Sequence, residues 1–296
     1  MGPPGMSERP GWYADALAQR PRHDEVSADG VTVHVRSWGD PALPPLVLVH
    51  GGAAHSAWWD HIGPLLSSRH HVLAPDLSGH GDSGWRTPYR VARWSGELAA
   101  VVRALTDAPP VVVGHSMGGH VGLRLALDAA VPLQGLVMVD SLFPAAGTRA
   151  PREATGPRRL YPSREAILAR FRTLPADTPK EAHVVEHVAA ESVVAVGAGW
   201  SWKFDPAFFT HDLLALEDVR ALDVPALVVR GEHGMVDEPT ARAVAEALGQ
   251  PGAVAMIRDS GHHVPLDQPL ALVDLVEETA TRWSPATSPS ATATAR

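Results

Sequence analysis

The stretch PVVVGHSMGGHVGLRLAL, residues 110–127, constrains this chain more than any other. Its apolar run is the pattern of a strand buried on both faces. Good helix formers at helical spacing follow almost at once. The chain must therefore turn from strand to helix within a few residues. Gly114, Gly118 and Gly119 leave room for the crowded backbone, and the pattern G-x-S-x-G sets Ser116 at the apex, its conformation strained and its hydroxyl exposed. Such a turn belongs to a parallel sheet covered by helices, with sites at the C-terminal ends of the strands.

The flanking segments repeat this alternation. VTVHVRSWG (31–39) alternates as a half-buried strand, and PLVLVHGG (45–52) and HHVLAPDLSGHGDSG (70–84) are short apolar runs ending in glycine-rich loops. A helix is predicted over 91–107, then the 110–119 turn, a helix over 120–130 and a strand in LQGLVMVDS (133–141). Later come a strand in PALVVRG (225–231), a helix over 238–248, a strand in AVAMIRD (253–259) and a helix over 266–282. Between about 144 and 215 the alternation breaks into Pro, Arg and helical fragments without a clear strand, the pattern of an inserted helical cap. The expected division is a core of 1–143 and 211–283, a cap of 144–210 and a small-residue tail of 284–296, whose SPATSPSATATAR composition reads as disordered.

Composition removes several classes of function. The chain has 296 residues, a formal net charge of −8 and no cysteine. Thiolate nucleophiles, disulfides and Cys-ligated zinc are excluded. An acidic chain without a basic run is a poor nucleic-acid binder. No apolar run is long enough to span a bilayer, and MGPPGMSERPGW lacks an apolar signal core, so a cytoplasmic protein is expected, a monomer or a homodimer.

A serine hydroxyl is a weak nucleophile and needs a base. DSGHHVPLDQP (259–269) follows a predicted strand, so its loop also opens at the C-terminal edge of the sheet. His262, directly after Gly261, is the candidate base, and His263 is read as a pocket-rim or packing residue.

With HGG (50–52), DLSGHGDSG (76–84), GHSMGG (114–119) and GHHVPLDQP (261–269) in this order, the chain resembles the α/β-hydrolase superfamily over roughly residues 24–283, and within it the capped serine hydrolases. The resemblance implies a mostly parallel, doubly wound α/β sheet of the eight-stranded type with helices on both faces. It implies a Ser-His-Asp triad without cofactor or metal. It also implies an oxyanion hole from the Met117 amide and that of Gly52, with Ala53 an alternative, because acyl transfer builds charge on a carbonyl oxygen. His50 is expected to brace its loop.

The triad acid has two candidates. Many relatives carry it after the strand that is here PALVVRG, in a pattern like G-x-x-D, but that slot holds Gly234 and Asp237 lies three residues late. Other members place it after the strand following the nucleophile helix, where Asp140 ends LQGLVMVDS. Asp140 is the preferred acid and Asp237 the alternative.

Trp58, Trp59 and Trp200 are read as core packing or as walls of an apolar pocket. The expected partner is an apolar carboxylic ester or lactone of modest size, cleaved through an acyl-enzyme. C–C bond, amide or perhydrolase chemistry on the same triad, and a non-catalytic ligand-binding module, are the alternatives. HVVEH (183–187) matches an H-x-x-E-H metal string, but no third ligand is recognisable, and it is read as a solvated helix face with two exposed histidines.

Overall fold

The computed structural model describes residues 9–144, 156–176, 178 and 180–284. Nearly all of the predicted tail lies outside them. Helix α1 (Gly11–Ala18) leads into β1 (Arg22–Ala28) and β2 (Val31–Trp38), an antiparallel hairpin turned by Asp29-Gly30, both at positive φ. An Asp-Gly pair is what a two-residue hairpin turn of matching twist needs. The chain continues through β3 (Pro45–Val49), α2 (Gly63–Leu66), β4 (His71–Pro75), α3 (Val91–Leu105), β5 (Val111–His115), α4 (Met117–Asp128) and β6 (Gly135–Val139).

Between β6 and the next sheet strand lie α5 (Arg164–Leu168), α6 (Ala182–Glu191) and a small antiparallel hairpin, β7 (Val193–Val196) with β8 (Gly199–Trp202). The core then resumes with β9 (Ala226–Gly231), α7 (Glu238–Ala247), β10 (Val254–Ile257), α8 (Val264–Asp267) and α9 (Pro269–Trp283).

Eight strands form one sheet in the order β1-β2-β4-β3-β5-β6-β9-β10. From β4 to β10 every neighbouring pair is parallel, and β1 and β2 add an antiparallel edge. This is the mostly parallel α/β architecture expected from the sequence. Strands β3 to β6 are buried at every position, which explains their unbroken apolar runs. Strand pleating then sorts the side chains between two layers. Val47, Val49, Val112 and Met138 pack with α3, α4 and α7, whereas Leu46, Leu48, Val113 and Val139 pack with α2 and α9. No helix among the described residues is long and apolar enough to cross a membrane.

Two local expectations differ from the structure, and one strand was not expected. The 144–210 segment is not helical throughout, because Val193–Val196 and Gly199–Trp202 pair around Gly197, which takes φ 57°. Valines and tryptophans facing each other across a glycine turn favour a hairpin over a helix. The predicted helix over 266–282 is two helices, broken where Gln268 meets Pro269. A proline disfavours helical backbone at the residue before it. Strand β1, too polar to stand out in the sequence, is held as an edge by its hairpin partner.

Candidate active site

The site is built on the strand ends that the sheet order brings together. At the end of β5, Ser116 takes φ 52° and ψ −118°, and its N–H donates to Val139 O on β6 at 2.8 Å. Non-glycine residues rarely occupy this region, and such strain is held by surrounding structure. The surroundings are explicit here. A Cβ on Gly114 would strike the backbone of Gly118 and Gly119, and one on Gly118 would strike the carbonyls of Val49 and His50. Only glycines let β3, β5 and α4 approach this closely.

The first turn of α4 begins at Met117, whose amide has no acceptor within the helix and lies at the positive end of the helix dipole. The 50–54 loop runs beside it. A side chain on Gly51 would touch His115 and Ser116, and one on Gly52 would touch Phe208 and approach Met117. His50 holds this loop. Its Nε2 accepts the Leu77 N–H at 3.0 Å, so its proton is on Nδ1, which donates to Gly51 O at 2.8 Å. Burial lowers the His50 pKa, which keeps the ring neutral for this double role.

His262 follows β10. Its Nδ1–H donates to Asp140 Oδ2 at 2.7 Å. Asp140 follows β6 at φ 46°, fully buried. Its carboxylate also accepts the N–H of Met235 at 2.8 Å and of Gly231 at 3.2 Å, and its own N–H donates to Val229 O at 2.7 Å. The loop after β9 thus supplies amides to an acid delivered by β6. Gly234 now has a physical reason, since a Cβ there would collide with the Asp140 carboxylate.

Asp237 lies elsewhere. It is the exposed N-cap of α7 and accepts the Thr240 N–H at 2.9 Å. The Thr240 hydrogen bonds hold its carboxyl below the usual carboxylate range. Helix capping therefore accounts for this residue, and it is Asp140 that meets His262.

The aromatic candidates separate. Trp58 is nearly buried, with its ring centroid 5.6 Å from that of His263. His263 in turn lies 5.0 Å from His262. Trp59 instead packs into the core with Trp38, Ile62 and Leu66, because successive residues of a tight helical turn point to different sides. Trp200 belongs to the β7–β8 hairpin, its backbone bonded both ways to Tyr161 at 2.8 and 2.9 Å. Among the described residues it makes no ring contact with this group. The HVVEH histidines are not on a solvated face. His183 is buried, its ring 4.5 Å from that of Tyr13, and His187 Nε2–H donates to Asp60 at 2.9 Å. Helix α6 packs both inward and leaves Glu186 outside.

Several further residues contribute that the sequence did not single out. His115 Nε2–H donates to His262 O at 2.8 Å, bracing the histidine loop from the residue before Ser116. Burial holds its pKa well below the ordinary histidine value. His115, His262 and His263 bring possible ligand nitrogens within 4.8 Å of one another, the one such all-histidine group among the described residues. Asp76 Oδ1 accepts the Ser56 N–H at 2.5 Å, and Oδ2 accepts from Asp82 N–H at 2.9 Å and His34 Nδ1–H at 2.8 Å. Burial alone would raise its pKa, but the His34 hydrogen bond and neighbouring histidines reverse this and keep it ionised. Phe208 lies over Gly52 from the segment after β8. For Asp76, the carboxylate at the end of a buried strand was the available signal. For Phe208 the signal was only a cluster of aromatics.

Known proteins now bear on this geometry. The sequence model of the alpha/beta hydrolase family matches residues 46–275. The chain belongs to that family. Esterase Rv0045c of Mycobacterium tuberculosis is 32% identical over 86% of this chain and 88% of its own length. Its solved structure superposes with a TM-score of 0.76 at 28% identity, covering 94% of this chain and all of that one. Lipase LipV of the same organism is 33% identical, over 40% of this chain and 45% of its own. A thioesterase domain from the curacin biosynthetic pathway shares the fold, with a TM-score of 0.75 at 22% identity over 87% of this chain and 99% of that chain.

Proposed function

We infer that this chain is a serine hydrolase that cleaves apolar carboxylic esters or lactones through Ser116, His262 and Asp140. The 2.7 Å bond from His262 Nδ1–H to the buried Asp140 carboxylate carries this reading. That bond fixes the tautomer that leaves Nε2 as acceptor for a serine proton. The strained elbow at Ser116 and the esterase relatives support it further.

In this reading His262 takes the hydroxyl proton as Ser116 Oγ attacks the ester carbonyl. Negative charge on the carbonyl oxygen is met by the amides of Met117 and Gly52, which need no reorganisation at that moment. The imidazolium at His262, stabilised by Asp140, then protonates the leaving alcohol. Water repeats the sequence on the acyl-enzyme and frees Ser116. The segment between β6 and β9 acts as a cap. It brings Phe208 against the oxyanion loop, and Trp58 with His263 forms a further apolar wall. These surfaces favour an acyl group of modest size.

The test is labelling of Ser116 by a fluorophosphonate probe together with turnover of p-nitrophenyl esters of rising chain length and of lactones. Wild type should label and hydrolyse short and medium esters, and Ser116→Ala should do neither. Ester turnover that survives in Ser116→Ala would overturn the assignment.

A further inference from the structure

The loop carrying His262 is tied to the segment between β6 and β9 through one buried carboxylate. Asp267 ends α8, shortly after His262, with its side chain 1% exposed. Oδ2 accepts the Gly261 N–H at 2.8 Å, the amide immediately before His262. The same oxygen accepts Thr178 Oγ1–H at 2.7 Å. Oδ1 meets Lys180 Nζ at 2.8 Å, and the lysine side chain is only 5% exposed.

Other contacts also join this segment to the core. Arg36 bonds Asp60 and Glu191, His187 bonds Asp60, and Lys203 bonds Asp82. Those pairs lie by β2 and its neighbouring loops. The Asp267 cluster differs because its carboxylate also holds the backbone of the histidine loop.

We propose that Lys180, Thr178 and Asp267 are positioning residues that make the placement of His262 depend on the seating of the segment between β6 and β9. The proposal rests on His262 being the base. A buried carboxylate without a cation is strongly unfavourable, so Asp267 stays aimed inward while Lys180 is docked. When the lysine leaves, the carboxylate turns toward solvent and its hold on Gly261 weakens. His262 must keep both its Asp140 bond and its reach to Ser116. The loop has other anchors, from His115 to His262 O and from His61 to Pro265 O, but neither fixes the Gly261 amide. A seated segment thus gives an aligned base, and a lifted one gives a slack base.

The experiment compares Lys180→Met, Lys180→Arg and Thr178→Val in the full chain, with p-nitrophenyl acetate and butyrate and with the fluorophosphonate probe. Because misplacing a catalytic group acts on the chemical step, Lys180→Met should lower kcat about tenfold or more on both esters, with KM within about threefold. Probe labelling should slow in parallel. Lys180→Arg keeps the charge and should stay within about threefold of wild type. A purely structural tie would move thermal stability or KM and leave kcat and labelling at wild-type values, and that result would overturn the proposal. If Lys180→Met does not fold, Thr178→Val decides, since it removes no charge and only the two hydrogen bonds of Oγ1, to Asp267 and from Lys180. A kcat lowered about fivefold or more supports the proposal, and a smaller change sinks it. His262→Gln separates the two readings. If it remains active, the triad itself fails. If it is dead while Lys180→Met is fully active, only the coupling fails.

Discussion

The loops after β6 and β9 offer two places for one carboxylate, and this chain uses them differently. The β6 loop turns sharply at Asp140, buries the side chain and aims it at His262. The β9 loop contributes no acid to that point. It donates the Gly231 and Met235 amides and leaves a glycine where a side chain would collide with Asp140. Its own Asp237 faces water and caps a helix. The two loops converge on one small volume, so an acid on one requires a gap on the other. The same residue type then has opposite work at the two places, fixing a tautomer in one and starting a helix in the other.

The largest expected effect falls on the β6 loop. Asp140→Asn should fold normally and lower kcat/KM by roughly 10³–10⁴, because the amide favours the wrong tautomer of His262. Steady-state kinetics with p-nitrophenyl butyrate measures it, and near-wild-type turnover would mean that the two loops do not differ in this work.

Acid should separate buried from exposed settings next. The burial that sets Asp140 apart from Asp237 also governs several histidines, lowering His55 to about 3 and His61 and His120 to about 4. Their folded values lie below the unfolded value, so their contribution to stability is complete above about pH 6.5 and is lost as pH falls toward the folded values. Between pH 7 and 5 each should remove on the order of 1–2 kcal/mol from the unfolding free energy. Urea unfolding across that range reads it, and a flat profile would mean that these rings are not held neutral.

The β9 loop offers a sharper probe. Gly234→Ala should lower kcat/KM by about 10–100-fold, since its Cβ pushes the carboxylate from His262. Combining Asp140→Gly with Gly234→Asp tests whether the volume can be filled from the other side. The double variant should exceed Asp140→Gly alone by about tenfold. No recovery would show that the loops share space but not function. The smallest effect belongs to Asp237→Ala. It should lower Tm slightly through the lost N-cap, as a thermal melt would read, and leave kcat/KM within about twofold.

Much of this was legible in the sequence because the site lies where backbone constraints leave marks. Ser116 needed glycines around it, and β3 to β6 needed unbroken apolar runs. Asp140 stood out as a carboxylate ending such a run. Gly234 was legible as an absence, but its cause, contact with a residue far earlier in the chain, is a tertiary fact. The aromatic residues were less readable. Trp58 and Trp59 are adjacent in the sequence, yet one lies by His263 and the other under the sheet, and only the phase of a short helical turn separates them. The β7–β8 hairpin was hidden for a similar reason, since short strands are stabilised by cross-strand partners more than by local propensity.

Asp140 is the carboxylate that holds His262. The most direct test is the hydrogen-bonded Nδ1 proton of His262, observed at low field by NMR in protein labelled with ¹⁵N-histidine. This resonance is expected in wild type and in Asp237→Asn, and its loss is expected in Asp140→Asn. A resonance that survives in Asp140→Asn and disappears in Asp237→Asn would contradict it.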